Sequence, residues 1–410
     1  MQATATPSVH HDPSPAATSA PLSRARSVAA VLALSLGCFS FVSTELMPVG
    51  VLPAMANGLG VSLGMAGYLV TLFAFMVALT AAPLTSLFGP LNRKALMAGL
   101  LAACLCGNLI TSLASDYAVV FLGRVLVAGA IGVFWSTAVV TAVHLVAARN
   151  AVRATSIVFG GVSLATVLGI PAGTLLGDML GWRAVFIALC GLCLVVFTLI
   201  VWSVPAVRIT RTTQRGAMKA ALRNTRLLAI FGITALLVTG NFLAYTYIAP
   251  YLEQVGGQGA AQISLLLLVY GAAGVVSNFA IGPFAARTPR TSLAIVAALF
   301  AASLAALGLA SASSTATLFA LAGWGAAYGA LPVLLQTQVF SETSSTPGSA
   351  DAATALNVSV FNAAIGLGSL IGGLMINRFG AAPIPYTAAG FALAGLLAIV
   401  ASRSTPRSTH

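Results

Sequence analysis

The sequence predicts an all-α membrane protein: twelve transmembrane helices in two pseudo-symmetric six-helix halves. Composition is the first reason. Of 410 residues, 59% are hydrophobic and 6% charged, with a mean hydropathy of +1.00, whereas soluble domains carry about 25% charged residues. The second reason is length: apolar runs of about 20 residues, enough to cross a bilayer at about 1.5 Å per residue, recur twelve times. The third is that the two halves of the chain echo each other.

In chain order the expected spans are Val28–Leu52, Ala66–Leu87, Ala95–Leu113, Tyr117–Val140, Thr155–Leu176 and Ala184–Val204. After a break come Leu227–Tyr251, Ile263–Ala285, Ser292–Ala310, Thr317–Val339, Ala352–Ile376 and Pro385–Ala401. These are helices 1 to 12 by expectation. Pro53 is expected to end helix 1 and Pro250 to end helix 7. The spans set the domain organisation: a disordered tail over 1–26, rich in Pro, Ser, Thr and Ala and without a recognisable secretory leader; a first half over 27–204; a basic linker over 205–226; a second half over 227–403; and a tail over 404–410.

Charge placement supports the count and orients the chain. Of 19 basic residues, 16 fall in the termini and in the loops that share their side: Arg24, Arg26, Arg93, Lys94, Arg149, Arg153, Arg208, Arg211, Arg215, Lys219, Arg223, Arg226, Arg287, Arg290, Arg403 and Arg407. Two, Arg183 and Arg378, fall on the other side, and Arg124 lies within a span. The positive-inside rule therefore predicts both termini in the cytoplasm and a location in the cytoplasmic (inner) membrane. A net charge of +12 could indicate nucleic-acid binding, but the charges sit between apolar runs and form no stripe on a soluble face. The basic linker reads as a segment lying on anionic headgroups. Asp116, Asp178, Glu253, Glu342 and Asp351 fall in loops or at helix ends, where a solvated role is expected.

Cys38, Cys104, Cys106, Cys190 and Cys193 all lie in apolar runs. Cys190 and Cys193 have CxxC spacing but no charged or histidine neighbour, so they read as small buried hydrophobes. No metal-ligand cluster, phosphate-binding loop or catalytic triad is recognisable, and the chain reads as neither an enzyme nor a cofactor protein.

The repeat is visible in spacing. Pro53 precedes Arg93 by 40 positions, and Pro250 precedes Arg290 by 40. Gly169, Gly173 and Gly181 around helix 5 match Gly368, Gly372 and Gly380 around helix 11. Paired six-helix repeats mark transporters with a midplane site between the halves. The residues Thr44-Glu45-Leu46-Met47-Pro48-Val49-Gly50, Phe134-Trp135-Ser136, Leu168-Gly169-Ile170-Pro171-Ala172-Gly173, Gly181-Trp182-Arg183 and Ala244-Tyr245-Thr246-Tyr247-Ile248-Ala249-Pro250 then carry a resemblance. In this order the chain resembles the major facilitator superfamily, and within it the drug/proton antiporter branch and the sugar-efflux transporters. The resemblance implies the major facilitator fold, alternating access, a functional monomer and a central cavity bordered by helices 1 and 4. It also gives conformational roles to Arg93 and Lys94 and to the glycine-rich helix 5. The departures are Gly89 and Ala286 where an acid is expected after helices 2 and 8, Ile131 where sugar exporters often place a histidine, and Ile170 where the antiporter motif has Gly.

Glu45 and Arg124 are the charged residues inside the expected spans. A charge near the bilayer centre costs about 2.5–3.5 kcal/mol on insertion scales and usually marks function. Counted from Pro53 and from Tyr117, the two lie at similar depth, which predicts that they interact. Desolvation raises a carboxylate's pKa and a nearby Arg lowers it, so hydration changes can tip the group. The reading is Glu45 as proton carrier with Arg124 tuning it; the competing one is a structural pair pinning two helices. Gly169, Gly173 and Gly177, with Pro171 between them, read chiefly as a close-packing stripe. Candidate substrate contacts are Trp135, Asn241, Tyr245, Tyr247, Gln336, Asn357 and Asn362, with packing or helix–helix hydrogen bonding as the alternative for each.

The function expected is export of a small neutral or hydrophobic solute, a sugar or a drug, driven by the proton gradient without any cofactor. Protons, solute and lipid are the expected partners. The alternatives are proton symport or facilitated uptake and, more remotely, a non-transporting membrane sensor.

Overall fold

The computed structural model describes residues 24–88, 91–207, 217–309, 313–343 and 349–402. Residues 1–23 and 404–410 of the expected tails, 208–216 of the basic linker and Gly89 lie outside them. Every regular element in these residues is helical, and twelve helices are long and apolar enough to cross a membrane. They are α1 (Ala25–Leu59), α2 (Leu63–Phe88), α3 (Arg93–Leu113), α4 (Tyr117–His144), α5 (Arg153–Leu180), α6 (Trp182–Ser203), α7 (Thr225–Tyr245, continued by Ile248–Gln254), α8 (Ala260–Ala280), α9 (Pro289–Leu309), α10 (Ser314–Thr343), α11 (Ser349–Phe379) and α12 (Ile384–Ala401). A short helix, Ala217–Arg223, precedes α7.

Two expectations are corrected. Pro53 does not end helix 1: α1 breaks at Val51 and resumes as Leu52–Leu59, with Pro53 in its first turn. Pro250 likewise sits in the first turn of Ile248–Gln254. Proline lacks the N–H that a helix interior needs, but the first turn does not use it, so the ring starts a new segment instead of closing the old one. Both extensions close on left-handed glycines, Gly60 at φ 63° and Gly257 at φ 62°. A second pair of positive-φ glycines, Gly181 and Gly380, follows α5 and α11. The repeat therefore extends to backbone conformation.

Packing repeats too. On α5, Gly169, Gly173 and Gly177 face Ser43, Met47 and Val51 of α1, one residue per turn; on α11, Gly368 and Gly372 face Thr239, Leu243 and Tyr247 of α7. A widened turn at Ala165–Gly169 of α5 precedes Pro171. It re-forms the winding where the proline cannot donate to Val167.

We call the end of the bundle carrying Arg24 and Ser402 the terminal side, and the other the distal side. The halves meet on the distal side. Gly64 N–H of α2 donates to Asn377 Oδ1 of α11 at 3.1 Å, and Ser264 Oγ of α8 donates to Pro171 O of α5 at 2.7 Å. Val49, Leu52, Ala56, Ala66, Val70, Ala74 and Ile170 of the first half enter one core with the second half. On the terminal side, Leu34, Phe41, Leu101, Phe134, Ala142 and Val158 form a core of first-half residues alone.

Candidate functional site around the kink of α1

Pro48 lies inside α1. Its missing N–H leaves the carbonyl four residues back, Thr44 O, without its helical partner. Arg124 of α4 supplies the replacement. Its guanidinium donates to Thr44 O at 2.5 Å and to Glu45 O at 2.8 Å, and lies 4.4 Å from the Phe73 ring centroid. Arg124 is 1% exposed. The expected pair is thus brought together at one level. Arg124, however, hydrogen-bonds the backbone of Glu45 and not its carboxylate. The ion pairs among the described residues are Arg226–Glu342 and Arg290–Glu342. Depth is corrected as well, because α1 continues to Leu59, and Glu45 is further from its distal end than Pro53 implied.

The Glu45 side chain is half-buried. Behind it, Thr44 joins a buried polar cluster. Asn108 Nδ2 donates to Thr44 Oγ1 at 3.0 Å, and Cys193 Sγ lies 3.6 Å from Cys104 Sγ. The cysteine contact that forms is therefore between α3 and α6, not within the CxxC spacing.

Across from this site the second half presents aromatic rings. Asn241 of α7 is wholly buried, and its Oδ1 accepts from Trp324 Nε1 at 2.9 Å and from the Tyr270 hydroxyl at 3.4 Å. Tyr245 stacks on Tyr270 at 5.0 Å and meets Trp324 edge-on at 6.2 Å; Phe242 joins Tyr245 to Tyr328. Tyr328 lies on α10 and meets Phe242 edge-on at 6.1 Å. Tyr270, Trp324 and Tyr328 were missed from sequence. The available signal was Trp324 and Tyr328, one turn apart among the small residues of Gly323–Ala330 in α10; Tyr270 follows a leucine-rich run and had none.

The other candidates are scattered. Trp135 packs 6.1 Å from Phe159 of α5. Asn357 accepts from Thr234 at 3.1 Å, Gln336 donates to Thr354 at 2.8 Å, and Asn362 donates to Val358 O of its own helix at 3.0 Å. Tyr247 is wholly buried between α7, α11 and α2, away from the aromatic group. Arg93 is buried, its N–H donating to Val207 O at 2.8 Å, while Lys94 is half-buried beside it. Glu342, expected to be solvated, has a side chain 17% exposed and receives Arg226 at 3.6 Å and Arg290 at 3.4 Å.

Two six-helix repeats closing on one side around a buried charged kink define a multi-pass membrane transporter. The Major Facilitator Superfamily profile matches residues 32–350. "Transcription regulatory protein OpdE" of Pseudomonas aeruginosa is 35% identical over 382 residues, covering 90% of this chain and 91% of that one. The uncharacterized MFS-type transporter YtbD of Bacillus subtilis is 33% identical over 356 residues, covering 86% and 90%. Among solved structures, a bacterial homologue of the human lysosomal transporter Spinster, inward-facing and unoccupied, superposes with a TM-score of 0.69 at 16% identity, covering 93% of this chain and 95% of that one. A point mutant of the nucleoside transporter NupG does so at 0.76 and 13% identity, covering 90% and 99%. The chain belongs to the Major Facilitator Superfamily; it is a transporter and not an enzyme.

Proposed function

We propose that this transporter exports a small neutral or hydrophobic solute across the cytoplasmic membrane in exchange for protons, with Glu45 carrying the proton. The observation that supports this most is the division of labour at the α1 kink. Arg124 is committed to two backbone carbonyls, so the half-buried Glu45 carboxylate is free to gain and lose a proton as hydration changes. A proton entering down about 100 mV and one pH unit releases about 3.7 kcal/mol. At one proton per cycle that sustains a neutral-solute gradient of roughly 500-fold.

The aromatic group around Asn241 and Tyr245 is the favoured solute-contacting face, because flat rings cover a sugar or drug ring at low entropic cost. The positive-inside rule puts the terminal side in the cytoplasm; with the halves joined distally, this structure then faces inward. No cofactor enters this scheme. A second reading, a membrane sensor without solute flux, is favoured by one observation, the name of the P. aeruginosa relative.

Proton release from purified protein on adding sugars and drugs tests the proposal. Release in the wild type that disappears in Glu45→Gln, with binding retained, is expected. Equal release in both moves the proton elsewhere. Energised everted vesicles decide direction, because an exporter accumulates solute there; a stimulus-dependent partner without flux would instead support the sensor.

A further inference from the structure

The distal closure between the halves is built around Tyr247. This residue lies where α7 breaks, and its hydroxyl donates to Ser369 O of α11 at 2.9 Å. Three glycines surround the ring. A Cβ on Gly67 would overlap the Tyr247 hydroxyl, one on Gly373 would stand 2.6 Å from the same atom, and one on Gly372 2.6 Å from Cε2. Gly372 and Gly373 are on α11, in the same half as Tyr247, whereas Gly67 is on α2, in the other. Ser369 Oγ bridges Thr246 Oγ1 at 2.9 Å and Gly67 O at 3.4 Å. Tyr68, next to Gly67, covers Gly373 in return.

Tyr247 is therefore fastened to its own half by Ser369, and it meets the other half at an α2 position without a side chain. Few polar bonds hold the halves together here: the Gly64–Asn377 bond and the longer Ser369–Gly67 approach between α2 and α11, and the Ser264–Pro171 bond between α8 and α5. At about 0.5–1.5 kcal/mol net each, such bonds can be broken and remade within a cycle. The seat requires glycine because close-packed interfaces do not absorb a methyl group without moving apart.

We propose that Tyr247 is the positioning residue of the distal gate: the gate is shut while Gly67 of α2 is docked on the Tyr247 hydroxyl, and solute passes only when α2 leaves it. This rests on transport by alternating access, but it is independent of what is carried and of Glu45.

The test measures opening without cargo. Spin labels are placed at exposed Ser115 and Thr315, at the distal ends of opposite halves, in a full-length protein whose native cysteines are replaced by alanine, reconstituted in nanodiscs. The unsubstituted background should give one dominant short separation. Gly67→Ala should raise a longer-separation population several-fold, and Gly67→Ala combined with Tyr247→Ala should reverse most of that rise. Gly99→Ala, where a Cβ meets nothing within 4 Å, should change nothing. An unchanged distribution in Gly67→Ala, or a double variant as open as the single one, overturns the proposal. If Gly67→Ala does not fold, Asn377→Ala decides: it loses only the bond to Gly64 and must shift the distribution the same way.

Discussion

At the residue scale, Arg124 shows how one side chain can answer a defect elsewhere in the chain. Pro48 strips Thr44 O of its partner, and a guanidinium from another helix takes the place. Arg124→Ala should therefore orphan a buried carbonyl and lower stability by roughly 1–3 kcal/mol. Restoring the N–H with Pro48→Ala in the same chain should recover part of the loss. Thermal unfolding of the single and double variants in one detergent checks this. If Pro48→Ala brings no recovery, the capping account is wrong and Arg124 acts through the Glu45 charge. That Pro48 follows Thr44 by four is written in the sequence. What the sequence did not show is which of the facing helices would supply the donor.

At the element scale, the glycine stripe of α5 lies against Ser43, Met47 and Val51 of α1, and its geometry ranks substitutions. At Gly173 a Cβ would meet the sulfur of Met47, the far end of a flexible chain, whereas at Gly161 it would run into Ser35 O, a backbone atom. Overpacking typically costs about 1–3 kcal/mol. Gly161→Ala should sit at or above that range and Gly173→Ala near its foot, because a methionine can change rotamer and a carbonyl cannot. Comparing the melting temperatures of the two variants tests the ranking; equal losses would mean that α1 yields as a whole. The stripe could be read from four-residue spacing. Pro53 and Pro250 were misread because a proline signals a break in helical hydrogen bonding without saying on which side of it the chain resumes.

At the scale of the whole molecule, the halves share a core distally and keep separate cores on the terminal side. The Glu342 cluster ties the terminal ends of α7, α9 and α10 within the second half. Because Arg226 and Arg290 have side chains 48% and 51% exposed, solvent screens these pairs. Glu342→Gln should then cost at most about 1 kcal/mol, with the loss shrinking as salt is raised. A large, salt-insensitive loss in denaturation assays would assign the cluster a buried role instead.

The sequence by itself determined the class, the twelve spans, the two-fold repeat and the candidacy of Glu45 and Arg124. Hydropathy, charge placement and spacing are one-dimensional properties, and a bilayer enforces them helix by helix. Only the tertiary structure decided which partners meet: Arg124 with the backbone of α1, Cys104 with Cys193, Asn241 with Trp324, and Tyr247 with Gly67. These contacts join residues far apart in the chain. They depend on how helices rotate and pack, and the apolar pattern leaves that open because nearly every face of a membrane helix is apolar.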